Sequence, residues 1–214
     1  MIARRDFLIL AASCAAEAAL AQSPDPLARR FGGPFTLVSH TGESVTEKTF
    51  AGKFMLVYFG FTHCADTCPG DLQTVTAALD MLSAAEIGEV RPLFITVDPE
   101  YDTPAAMAEY LKAFHGSITG LTGTEARIAA AAKAYRVHRR LLQTAPEKKS
   151  GRLIHLAHGS ARKPGAPYRG GGWTIDHGSL IYLMGREGEF ITLFTTGADA
   201  GKIAARLKRL GKSG

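Results

Sequence analysis

The chain has 214 residues, of which 46% are hydrophobic and 21% charged, with a formal net charge of +5. That length and balance suit one ordinary globular domain with a substantial core. Only three cysteines are present, which excludes a small disulfide-stapled scaffold.

Residues 1–21 read as an export signal. Arg4 and Arg5 precede Phe7 and Leu8, a short apolar stretch follows, and Ala19-Leu20-Ala21 offers a small-residue cleavage site. The paired arginines resemble a twin-arginine signal, with an ordinary secretory signal as the alternative. Glu17 interrupts the apolar stretch, leaving about half the length of a membrane-spanning helix, so a membrane anchor is not expected. Cys14 has alanine three positions before it, which argues against lipidation. The expected location is the periplasm, where nucleic acid is a poor candidate partner.

Residues 22–34 read as a polar linker, residues 35–210 as the folded domain and residues 211–214 as a tail. Residues 35–38 suit a strand and 40–43 the turn of an N-terminal β-hairpin. Residues 54–61 form an almost unbroken apolar run, the mark of a central strand covered on both faces. Pro69 suits the first position of a helix, continued by Leu72, Val75, Ala78, Leu79 and Leu82 at helical spacing. Residues 93–97 make a second buried strand. Thr103 then caps, and Pro104 opens, a helix through residue 114. Residues 120–124 read as a turn before a helix over 125–135. Residues 180–184 and 190–194 flank Gly185-Arg186-Glu187-Gly188 as a hairpin. Ile203, Ala204, Leu207 and Leu210 mark a last amphipathic helix.

This order predicts an α/β architecture, a mixed sheet flanked by helices, and thioredoxin-like folds have the same order. The pattern breaks over 139–172, expected as a long, exposed basic insertion, a loop or loose hairpin, before the last hairpin. From Arg139 to Arg169 there are eight Lys/Arg against one Glu, net +7, leaving −2 for the rest of the chain. The segment reads as solvated surface, or as an electrostatic docking arm for an acidic partner or an anionic membrane surface. His155 and His158 read as exposed loop histidines within it.

Cys64 and Cys68 lie where the central strand runs into the proline-started helix. The proline biases Cys68 toward extended backbone, which would make it the residue just before the first helical turn. There the unpaired N–H groups and the helix dipole favour a thiolate over a thiol. Two thiolates suit Cu(I) or zinc, and equally a redox disulfide. A third ligand separates these readings, and His177, just before the hairpin strand, is the best candidate.

Four segments stand in an order that resembles the Sco/SenC family: Gly60-Phe61-Thr62-His63-Cys64 through Cys68-Pro69, Val97-Asp98-Pro99 through Asp102-Thr103-Pro104, Gly120-Leu121-Thr122-Gly123-Thr124, and Asp176-His177. The resemblance covers nearly the whole domain. It implies a copper-binding, thioredoxin-like factor for cytochrome c oxidase assembly, with Cys64, Cys68 and His177 binding copper and Asp98 and Asp176 beside them. It also implies a copper-bearing oxidase subunit as recipient, and a periplasmic thiol reductase and a second copper chaperone as further partners. His63 matches a common family residue but is not carried over as a ligand. Two departures stand out. Ala65 replaces the usual proline, predicting a less stiff ligand loop, and Gly178 follows Asp-His, predicting a shifted histidine.

The leading expectation is therefore a metallochaperone carrying Cu(I), with imidazole also able to accept Cu(II). A thiol–disulfide reductase using Cys64 and Cys68 as its redox pair, or a copper or redox sensor, remains open. Peroxide reduction is disfavoured because Ala65 and Phe61 stand where that chemistry's threonine and proline belong.

Overall fold

Burial on both faces marks the centre of this fold. In the computed structural model, which describes residues 31–64, 67–143 and 173–212, strand β3 (Phe54–Gly60) is buried at every position. Around it stand β1 (Thr36–Ser39), β2 (Ser44–Thr46), β4 (Val90–Thr96) and β5 (Thr119–Thr122). Later in the chain come β6 (Arg139–Gln143), β7 (Trp173–His177), β8 (Leu180–Met184) and β9 (Phe190–Thr195). Seven of these form one sheet in the order β2-β1-β5-β4-β3-β8-β9. Strands β3, β4 and β5 are parallel, and the flanking strands antiparallel. The mixed, thioredoxin-like sheet is thus as expected.

Five helices complete the layers: α1 (Thr67–Asp80), α2 (Ala84–Gly88), α3 (Pro104–Leu111), α4 (Glu125–Ala134) and α5 (Ala200–Gly211). Thr103, Thr124 and Asp199 cap α3, α4 and α5 by accepting from backbone N–H groups in their first turns. Successive side chains of β3 point to opposite faces. Tyr58 stacks on Phe94, which meets Tyr110 of α3. Phe59, on the other face, packs with Tyr135 and Tyr182.

The segment 120–124 is not a turn: Gly120 to Thr122 lie within β5. Its glycine answers to packing, since a β-carbon on Gly120 would stand 2.8 Å from Leu111 Cδ1 and 2.9 Å from Met107 Cε. The basic segment begins in a strand, as its hairpin alternative allows. Residues Arg139–Gln143 form β6, paired antiparallel with β7 in a separate two-stranded ladder. Helix α3 stops at Leu111 rather than continuing to residue 114. The export segment with Cys14, the linker up to residue 30, Ala65, the insertion over 144–172 with His155 and His158, and the last two residues lie outside the described residues.

Candidate metal centre

The site forms at the carboxyl ends of β3 and β4, where open α/β sheets present their ligands. Gly60 ends β3 and leaves the space that a sulfur fills. A β-carbon there would lie 3.0 Å from Cys68 Sγ and 2.8 Å from Phe94 Cε2. The chain then turns through Phe61, and the Cys64 amide donates back to the Phe61 carbonyl at 3.3 Å.

Two carboxylates from the loop after β4 hold this turn. Asp102, fully buried, accepts from the Thr62 amide at 3.1 Å, the Thr62 hydroxyl at 2.5 Å and the Thr96 hydroxyl at 2.6 Å. Burial pushes its carboxyl up to about 6, against the pull of those hydroxyl and amide donors. Asp98, also buried, stands 3.2 Å from His63 Nε2, and the His63 ring packs on Tyr101 and Phe61.

Cys68 is the second residue of α1, two positions further into the helix than expected, and is wholly buried. Its thiol is held well above the usual range, first by its hydrogen bond with Cys64 and then by burial. The expected thiolate therefore does not prevail here. Desolvation and a neighbouring sulfur outweigh the helix dipole. Cys64 is half-buried, and no disulfide joins the two cysteines.

His177 reaches this pair across 109 positions: its Nε2 lies 3.6 Å from Cys68 Sγ. Its Nδ1 lies 3.1 Å from the Gly178 carbonyl. An Nδ1–H donated there leaves the Nε2 lone pair facing the sulfur. The Phe61 ring meets the imidazole edge to face at 5.6 Å. Gly178 has not carried His177 away; its amide instead donates to the His138 carbonyl at 3.3 Å. With metal bonds of roughly 2.3 Å to sulfur and 2.0 Å to nitrogen, a 3.6 Å span corresponds to an angle of about 113° at one shared ion. The donor set fits a soft ion. Among the described residues no group of three or more His, Cys, Asp or Glu side chains is placed to hold a metal ion. One sulfur and one imidazole are preset, and Cys64 stands on the adjoining turn.

A family model described as SCO1/SenC matches residues 23–212. The chain belongs to the SCO1/SenC family. The human protein SCO1 homolog, mitochondrial, is 37% identical over 177 residues, covering 82% of this chain and 51% of the relative. Yeast (Saccharomyces cerevisiae) protein SCO1, mitochondrial, is 41% identical over 160 residues, covering 75% and 47%. The chain spans about half the length of these curated relatives. The copper-bound structure of Bradyrhizobium japonicum ScoI superimposes with a TM-score of 0.66 at 36% identity, covering 84% of this chain and 98% of that one.

The family's mitochondrial relatives correct one expectation. The periplasm does not stand as the location, since the human and yeast members are named as mitochondrial proteins. Among the described residues no helix is long and apolar enough to cross a membrane.

Within this family frame the structure sorts the remaining candidates. Asp98 sits beside the cysteine turn, on His63. Asp176 does not approach the sulfurs. It is exposed and lies 3.4 Å from His138 Nε2, because adjacent residues of a strand project to opposite faces. Sequence reasoning missed Arg139, which stands opposite His177 in the β6–β7 ladder. Its guanidinium donates to the Val97 carbonyl and to the Glu125 carboxylate. It also missed Tyr58 and Asp71, polar groups set under Cys68.

Proposed function

We propose that this chain is a copper metallochaperone that delivers copper to the binuclear copper centre of cytochrome c oxidase during assembly. The observation that carries this reading is the 3.6 Å approach of Cys68 Sγ to His177 Nε2, with Cys64 alongside. The copper-bound state of the similar ScoI structure supports it.

Copper is the cargo here. Cys68 and His177 form the rigid inner wall, and Cys64, on a turn and partly open to solvent, forms the outer one. Binding displaces the thiol protons, since thiolates are the ligands. His177, its Nδ1 turned to the Gly178 carbonyl, presents Nε2 toward the sulfur. A site of few ligands with one accessible edge permits stepwise exchange, in which an incoming donor replaces Cys64 first. The recipient would be the copper-bearing oxidase subunit, and the sulfurs would need a thiol reductant to return from any disulfide.

A second reading is thiol–disulfide reduction of the target protein, favoured by the direct contact of two free thiols. His177→Ala separates the two. The metallochaperone reading expects Cu(I) affinity to fall at least a hundredfold in competition with a chelator, while disulfide exchange with a model peptide persists. Unchanged copper affinity would refute it, and equal loss of both would mean that the imidazole serves the thiols rather than the ion.

A further inference from the structure

At the far end of β3 from the sulfurs, between α2 and the end of α5, lies a cavity of about 190 Å³. Phe54, Val90 and Leu207 line it and belong to the buried core, so its floor is apolar. Phe54 opens β3 and Gly60 closes it. Six steps of roughly 3.3 Å therefore put about 20 Å of strand between this cavity and the metal centre.

The fold's own bonds fix the rim. The Phe54 amide donates to the Glu89 carbonyl at 3.0 Å, and the Arg186 guanidinium lies over the Phe54 ring, 4.7 Å from its centre. Glu89 is held by Lys53 at 2.7 Å and by Arg186 at 2.6 Å. Glu86 is turned to Ser83, accepting from its amide at 2.8 Å and its hydroxyl at 3.0 Å in the capping box of α2. Both carboxylates at the rim are thus engaged within the molecule. Its two lysines, Lys208 and Lys212, are not: among the described residues no carboxylate lies within ion-pair distance of either. They stand one helical turn apart, and α5 carries no acidic residue.

This combination selects an occupant. An apolar floor offers nothing to the polar atoms of a bare anion, while a purely apolar guest would strip water from two ammonium groups. A cavity of about 150 Å³ holds one benzene, so the space suits a single aromatic side chain with carboxylates beside it. An anionic bilayer supplies charge alone here, because Ile203, Ala204 and Leu207 already turn the apolar face of α5 into the core. A protein segment supplies both parts.

We propose that this cavity is a docking site for an acidic segment of a partner protein, with one aromatic side chain seated on Phe54, Val90 and Leu207 and neighbouring carboxylates paired with Lys208 and Lys212. The preset rim keeps the ordering cost of binding small. A partner held here leaves the metal centre uncovered at the opposite end of the sheet. The site goes beyond the metallochaperone reading and does not depend on it.

The test uses the full chain and a fluorescein-labelled, amidated peptide with one phenylalanine between two pairs of glutamates. Anisotropy should show saturable binding, and alanine in place of the peptide's phenylalanine should weaken it about tenfold. Lys208→Ser combined with Lys212→Ser should also weaken it about tenfold, while urea unfolding and Cu(I) uptake keep their wild-type values. Absence of binding overturns the assignment. So does equal binding of both peptides, which would reduce it to charge alone, or unchanged binding by the lysine variant, which would place the contact elsewhere. Binding to phosphatidylglycerol vesicles without binding to the peptide would make the surface a membrane contact instead. A chain that docks the peptide but takes up no copper would refute the proposed function and leave the docking site standing.

Discussion

Arg139 and His177 face each other across the β6–β7 ladder, and the arginine is tied to the main body through the Val97 carbonyl and Glu125. The imidazole's place is therefore set from the opposite strand, by a residue that touches neither cysteine. Arg139→Ala is expected to weaken Cu(I) binding about tenfold, equivalent to about 1.4 kcal/mol of lost positioning. Glu125→Gln, which removes an exposed partner, should have a much smaller effect. Chelator competition on both variants checks the ranking. Equal effects, or none for Arg139→Ala, would show that β7 holds His177 unaided.

Gly60→Ala is expected to damage the fold and the site together. The added methyl would meet Phe94 at 2.8 Å and Cys68 Sγ at 3.0 Å, and both belong to the tightly packed core. Overpacking of this kind costs about 1–3 kcal/mol. Urea unfolding should show the loss, and the glutathione equilibrium of the cysteine pair should shift with it. A stable variant with an unaltered pair would mean that the helix backs away freely.

Asp102 gives the stability a pH dependence of defined sign. Its carboxyl rises from 3.8 to about 6 in the fold, chiefly through burial. Between those values the folded chain keeps a proton that the unfolded chain has released, so stability falls as pH climbs through that window. The contribution is complete below the unfolded value and lost above the folded one, on the order of 2–3 kcal/mol. Asp102→Asn should remove this slope, and the difference between wild type and variant in urea midpoints from about pH 4 to about pH 7 isolates it from other carboxylates. A difference that stays constant over the range would contradict the assignment.

Copper uptake should release protons. The Cys68 thiol is held protonated by its hydrogen bond with Cys64 and by burial, so metal must displace that proton. Cu(I) titration in weakly buffered solution near neutrality should acidify it by at least one proton per ion. The apparent affinity should rise about tenfold for each unit increase in pH per proton displaced. Uptake without acidification would place the cargo elsewhere.

Much of this arrangement was legible in the residues, because the strongest signals are local. The apolar run of β3, the Thr103-Pro104 helix start and the glycine hairpin between β8 and β9 each depend on a few neighbouring side chains. The approach of His177 to Cys68 was readable only through the fold's element order, since nothing local links them. Three things were missed or left open, each for a physical reason. Residues 120–124 carry turn-type residues, but Gly120 is there to admit Leu111 and Met107 against β5. The basicity of residues 139–143 left open whether they form a loop or one side of a hairpin; they are a strand whose arginines are spent on a tertiary anchor and on solvent. The ionisation of Cys68 was misjudged because the helix terminus is visible in sequence, whereas complete burial beside a second sulfur is not.

Among the described residues the two-stranded ribbon shares no ladder with the seven-stranded sheet, yet it carries the imidazole, while the turn after β3 and helix α1 carry the sulfurs. In the proposed role the cargo is therefore also a fastener, joining two pieces of the molecule at a single point. Loading should slow amide exchange along β6 and β7 and leave β3 and β4 unchanged.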